Sequence, residues 1–105
     1  MHDGIVRQGD VLLVPVKTLP KGAVEQQLTA PLVLAFGEVT GHAHQIKEHA
    51  KVRCWSAGAE RFIRAVESVA LEHEEHSAVM LEPGVTYRQI HQVEDWGSEV
   101  RRVAD

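Results

Sequence analysis

Apolar residues in this chain come in short runs and alternations, each closed by glycine, proline or a polar turn. Val11-Leu12-Leu13-Val14-Pro15-Val16 follows Gly9-Asp10, and Pro31-Leu32-Val33-Leu34-Ala35-Phe36 is stopped by Gly37. Continuous apolar runs of this length, bounded by turn signals and rich in β-branched residues, predict buried strands. Pro15 has no backbone donor, so the first strand has an unpaired edge there. His42 to Ile46 and Val52 to Trp55 predict two further strands. Leu19-Pro20-Lys21-Gly22 and Ser56-Ala57-Gly58 read as loops, and the stretch after the first of them as a polar connection.

Arg61 to Glu75 carries two patterns at once. Phe62, Ile63, Val66, Val69 and Ala70 trace a helical face that no glycine or proline interrupts. Val69, Leu71 and His73 alternate with Ala70 and Glu72, as in a half-buried strand. We favour two short strands broken near Glu67-Ser68, with a helix as the alternative. Glu82-Pro83-Gly84 sets proline and glycine where a type II turn needs a fixed and a positive φ. The flanking segments, Ala78 to Leu81 and Val85 to Val93, then predict a hairpin. The fold class is mainly β: a compact antiparallel barrel or sandwich of six to eight short strands, in one domain over 1–105. A helix at 61–75 would make it α+β.

Composition narrows the function classes. Hydrophobic residues are 44% of 105 and charged residues 25%, ordinary values for a globular domain. The net charge of −4 comes from interspersed acids and bases, which argues against nucleic acid as a partner, since phosphate binding calls for a basic stripe. No apolar run approaches the ~20 residues of a membrane span. No basic segment followed by an apolar one opens the chain, so a signal peptide is not expected. Cys54 is the single cysteine, which excludes an intrachain disulfide and fits a cytoplasmic location.

The candidate chemistry lies in the histidines. Gly37-Glu38-Val39-Thr40-Gly41-His42-Ala43-His44 is answered further along by His73-Glu74-Glu75-His76, which puts four of seven histidines into two pairs. The i, i+2 spacing of His42 and His44 sends both rings to one face of a strand. Two neutral imidazoles on one face can share a metal ion. Glu48, four residues past His44, would add an oxygen if the chain curves back. His73 and His76 converge if Glu74-Glu75 is a tight turn or a helix end, and diverge on a straight strand. The candidate metal ligands are therefore His42, His44, His73, His76 and Glu48, with zinc, iron, manganese or nickel as the divalent ion.

Other constellations are weaker. His49, among Lys47, Glu48, Ala50 and Lys51, is expected to be solvated, and His91 to sit half-exposed on a strand. Glu74 and Glu75 could act as acid or base toward a metal-bound water, but adjacent glutamates at a turn are more often simply solvated. Cys54 beside Trp55 reads as a core residue, and Trp55 and Trp96 as packing. Gly37 to Gly41 matches no phosphate-loop spacing.

Arg7-Gln8-Gly9-Asp10-Val11-Leu12-Leu13, the two histidine motifs, Pro83-Gly84 and Tyr87 together resemble a family of small uncharacterised bacterial and phage-borne proteins. That resemblance implies no activity. Gly37, His42, His44 and Glu48 also resemble, more distantly, the first motif of the cupins, small β-barrels that hold a metal through His-x-His and a later Glu. The cupin pattern brings its further histidine after a Pro-x-Gly turn, whereas His73 and His76 here precede Pro83-Gly84. Three functions stay open: a metal-binding β-barrel with hydrolase or oxygenase chemistry on a small-molecule ligand, a metal-free binding or accessory module of phage or mobile-element origin, and a metal-free histidine acid/base enzyme.

Overall fold

The computed structural model describes residues 4–36 and 42–91. The expected turn at Thr40-Gly41, the strand end at Val93, Trp96 and the polar tail lie outside them. Among the described residues ten strands form: β1 (Val6–Gln8), β2 (Val11–Val16), β3 (Val24–Gln26), β4 (Leu32–Phe36), β5 (Ala43–Ile46), β6 (Val52–Ala57), β7 (Glu60–Ala65), β8 (Val69–Leu71), β9 (Val79–Leu81) and β10 (Thr86–His91). The fold is mainly β. A single 3-10 turn, His49–Lys51, is the helical element among the described residues. The segment 61–75 contains all of β7 but its first residue and all of β8, with the break at Val66–Ser68, so the strand reading of that ambiguous pattern holds.

Six strands make one antiparallel sheet in the order β1-β2-β10-β7-β6-β3, and β4-β5 and β8-β9 are separate two-stranded ribbons. Backbone hydrogen bonds of 2.9 Å in both directions between Gln45 and Glu72 join β5 to β8, so the ribbons lie side by side. One apolar cluster gathers Val11, Leu13 and Tyr87 from the large sheet with Leu32, Leu34, Ile46, Leu71 and Leu81 from the ribbons. Sheet and ribbons thus share one core. The large sheet does not close into a barrel, and its outer strands β1 and β3 remain edges. The barrel implied by the cupin resemblance is therefore not what this chain builds.

Two strands lie outside the sequence expectation of six to eight. β1 and β3 are three residues long and carry little apolar pattern; every residue of β3 is exposed. β3 is held by cross-strand chemistry instead. Glu25 receives two hydrogen bonds from Arg53, 2.9 and 2.8 Å, and this guanidinium fork holds its carboxyl below the usual carboxylate range. Arg53 and Arg64 also approach the ring of the buried Trp55 at 5.1 and 5.7 Å.

Turn chemistry sets the registers. β1-β2 and β6-β7 are joined by two-residue turns, Gly9-Asp10 and Gly58-Ala59. Gly9 and Gly58 have φ of 60° and 64°, and among the described residues no non-glycine has positive φ. A positive first position and a negative second one define type II′, whose twist suits adjacent antiparallel strands. The expected type II turn is present at Glu82–Val85, with Gly84 at φ 84° and a 3.4 Å bond from Val85 N–H to Glu82 O. The hairpin expected around it is not. β9 pairs with β8, while β10 pairs with β2 and β7. Leu81 and Tyr87 both point into the core, so the turn carries the chain from one layer to the other. Pro15 faces Tyr87 in β10, and β1 reaches only to Leu13, so proline's missing donor removes no rung on the β1 side.

β4 carries a bulge between Val33 and Ala35, opposite Gln45 and His44 of β5. Side chains from the other layer take its carbonyls: Arg61 donates to Val33 O and Gln89 to Leu34 O, each at 2.8 Å. Bulges redirect the strand they interrupt.

Leu71 and Ile63 are fully buried, whereas Met80 is 56% exposed. Leu71→Ala and Ile63→Ala are each expected to lower unfolding free energy by about 2–5 kcal/mol. Met80→Ala should change it by less than about 0.5 kcal/mol. Urea titrations followed by tryptophan fluorescence check both values.

Candidate metal centre

β5 brings His44 to the layer interface, where its ring is 4% exposed and faces the same side as the fully buried Ile46. His42 lies just before the strand. His73 and His76 belong to the loop that joins β8 to β9. This is neither the two-residue turn nor the helix end considered from the sequence, yet it brings the pair together. The ring centroids of His73 lie 5.7 Å from His42, 4.3 Å from His44 and 4.7 Å from His76, and His44 and His76 are 5.7 Å apart. All four histidines thus form one cluster with His73 at its centre. Two imidazoles sharing an ion through bonds near 2.0–2.1 Å have centroids about 4.5–5.5 Å apart. The observed spacings bracket that range.

Nitrogen and oxygen donors of His42, His73 and Glu74 lie within 4.8 Å of one another, a group that can hold a metal ion. Glu74 is the carboxylate that sequence reasoning did not choose as a ligand. Its Oε1 accepts the Ala43 N–H at 2.9 Å, and this bond, ahead of the nearby His42 and His73 rings, lowers its pKa. Glu48 is not brought into the group. It precedes the 3-10 turn and pairs with Lys51 at 3.4 Å. His49 lies in that turn, half-buried rather than solvated, with Nδ1 buried and unpartnered.

Hydrogen bonds around His44 and His73 decide which nitrogen of each ring carries its proton. Gln8, 3% exposed, donates its amide N–H groups to Leu71 O and Ser77 O, both at 2.9 Å. Carbonyls only accept, so the amide oxygen must face His44, and it lies 2.8 Å from Nδ1. Behind His42, Glu75 places Oε2 3.6 Å from Nδ1. His73 differs, because its Nδ1 accepts the Glu75 N–H at 3.0 Å. A neutral ring bonded in that way carries its proton on Nε2.

Gly9 forms the floor. A Cβ built there would sit 3.0 Å from His44 Cε1 and 3.0 Å from His76 Nε2. The bare backbone lets both rings approach, and the II′ turn needs positive φ at the same residue. Gln8 and Gly9 escaped sequence reasoning as site residues. For Gly9 a signal was available, since Gly9-Asp10 reads as a turn before the first apolar run; for Gln8 there was none.

Cys54 is buried in β6, and burial pushes its thiol pKa up. That fits a packing residue rather than a nucleophile. Among the described residues, no helix is long and apolar enough to cross a membrane.

Fold and site together define a small, β-rich protein with a histidine–glutamate group able to hold a metal ion. A family model described as Domain of unknown function (DUF8820) matches residues 7–92, and the chain belongs to that family. The match spans Gln8, Gly9 and both histidine pairs. The comparisons with curated proteins and with solved structures gave no match.

Gly9→Ala places a side chain at φ 60° and against two imidazoles. The backbone cost is about 1–2 kcal/mol. The variant should melt at a lower temperature and show displaced His44 and His76 ring resonances. Native Cys54 is expected to react slowly with a thiol reagent and stoichiometrically in denaturant, as followed by chromophore release.

Proposed function

We propose that this domain binds one divalent transition metal ion, zinc, iron, manganese or nickel, at the histidine cluster. The observation that carries the reading is that the His73 ring lies 4.3–5.7 Å, centroid to centroid, from the other three imidazoles, with donors of His42, His73 and Glu74 within 4.8 Å of one another. His42 and His44 would serve from the β5 side, and His73, His76 and Glu74 from the loop. Mixed nitrogen and oxygen donors suit these borderline ions better than calcium or magnesium, which prefer oxygen alone. His73 would contribute Nδ1 once the Glu75 N–H bond is released. A coordination position left open to solvent would suit hydrolysis or oxygenation of a small molecule, with the exposed Glu75 as the nearby base.

One observation favours a second reading, a metal-free binding module. Protein groups engage the same elements: the Glu75 N–H bonds His73 Nδ1, and Gln8 bonds both His44 and the Ser77 carbonyl of the loop. Metal analysis of untagged protein separates the two. Metal binding predicts close to one equivalent of metal and a melting temperature lowered by chelator, because binding to the native state adds to its stability. His42→Ala and His44→Ala should lose most of the metal, and His49→Ala should keep it. Equal behaviour of all three variants, or a melting temperature indifferent to metal and chelator, would favour the module.

A further inference from the structure

Gln8 lies in β1, far in sequence from every histidine of the cluster, and no metal-ligand pattern includes it. Its side chain is nonetheless the most constrained polar group of the site. Two carbonyl acceptors fix which end of the amide is nitrogen, and the remaining oxygen faces one imidazole nitrogen. We infer that Gln8 is a positioning residue for the centre: it holds the His44 proton on Nδ1, so that the lone pair sits on Nε2 and faces the cluster.

The geometry supports the direction of that lone pair. The Cβ position above Gly9 lies 3.0 Å from His44 Cε1, 3.4 Å from His44 Nε2 and 3.0 Å from His76 Nε2, so the Nε2-bearing edges of the two rings lie beside the same glycine, on the side of His44 away from Gln8. An imidazole in solution tautomerises freely. In a buried site its tautomer follows the partner, and ligating histidines as a rule give their second N–H to an oxygen that fixes the ring. Gln8 supplies such an oxygen. It is an amide whose own donors are already committed, so it cannot turn over and offer N–H to His44 without stranding two carbonyls. Leu71 is fully buried, so its carbonyl would lose that donor away from water, an arrangement a protein interior penalises. The lock on the ring is therefore set by Leu71 and Ser77, which flank the loop bearing His73 and His76. One side chain orients the His44 ring and ties that ring to the opposite half of the cluster.

The inference rests on the metal reading for its purpose, and its test is independent of metal. Metal-free protein labelled with ¹⁵N is studied well above the ordinary imidazole pKa of about 6.5, and long-range ¹H–¹⁵N correlations report the tautomer of each ring. Wild-type His44 should show a protonated Nδ1 and an unprotonated Nε2. Gln8→Met keeps side-chain length and removes the oxygen; His44 should then shift toward the Nε2–H form, and zinc should bind about 10–100-fold more weakly. Gln8→Glu, which keeps an acceptor facing Nδ1, should retain the wild-type tautomer. A wild-type His44 protonated on Nε2, or a tautomer unchanged in Gln8→Met, overturns the inference. The wild-type spectrum decides even if a variant fails to fold. Absence of zinc uptake alongside an Nδ1–H His44 would remove the metal reading and leave the role of Gln8 in place.

Discussion

The saturated amide of Gln8 is the constraint on which the rest of the site depends. It is a buried polar group with acceptors at one end and an imidazole N–H at the other, and a low-dielectric interior penalises any unpaired arrangement. Three separate stretches meet at it: the end of β1, the strand bearing His44, and the loop between β8 and β9. Gly9 follows directly and supplies the bare backbone on which two rings rest. A two-residue turn in the large sheet therefore governs the placement of groups carried by the ribbons.

Around that point the histidines are interleaved with residues that tie strands together. Ala43, between His42 and His44, gives its N–H to Glu74; Gln45, next along, exchanges backbone bonds with Glu72. The two motifs are thus laced through their intervening residues, which leaves the imidazoles to face one another. The bulge in β4 falls opposite this segment, with its carbonyls satisfied by Arg61 and Gln89.

Much of this was legible in the sequence. β2, β4, β5, β6 and the broken segment at 61–75 follow from apolar runs and period-two alternation, because burial on one face leaves that trace. The Pro83-Gly84 turn followed from φ preferences alone. What stayed hidden were properties of partners. β3 is exposed on every residue and pairs with the edge of β6, where Arg53 meets Glu25, and nothing in Val24–Gln26 announces that partner. β9 and β10 flank a good turn, yet each finds a different neighbour, since a turn fixes local direction and not which edge a strand will join. At the site, the histidine spacing was readable, but Gln8 is an unremarkable strand-end residue until the fold surrounds it. Glu48 stays apart from the cluster, and its closeness to His44 in sequence says nothing about the loop that brings Glu74 beside His42 and His73.

The central pairing of β2 with β10 has a kinetic consequence. It joins the start of the chain to the last described strand, with nearly every other element enclosed between them in sequence. Closing so wide a loop costs chain entropy before any contact repays it, and topologies ruled by distant pairings fold slowly for that reason. On a ribosome, the β1-β2 hairpin would emerge before β10 and wait with its apolar face exposed until that strand arrived. Gln8 and Gly9 would be synthesised before every histidine of the cluster, and the floor of the centre would be among the last parts of the molecule to acquire its surroundings.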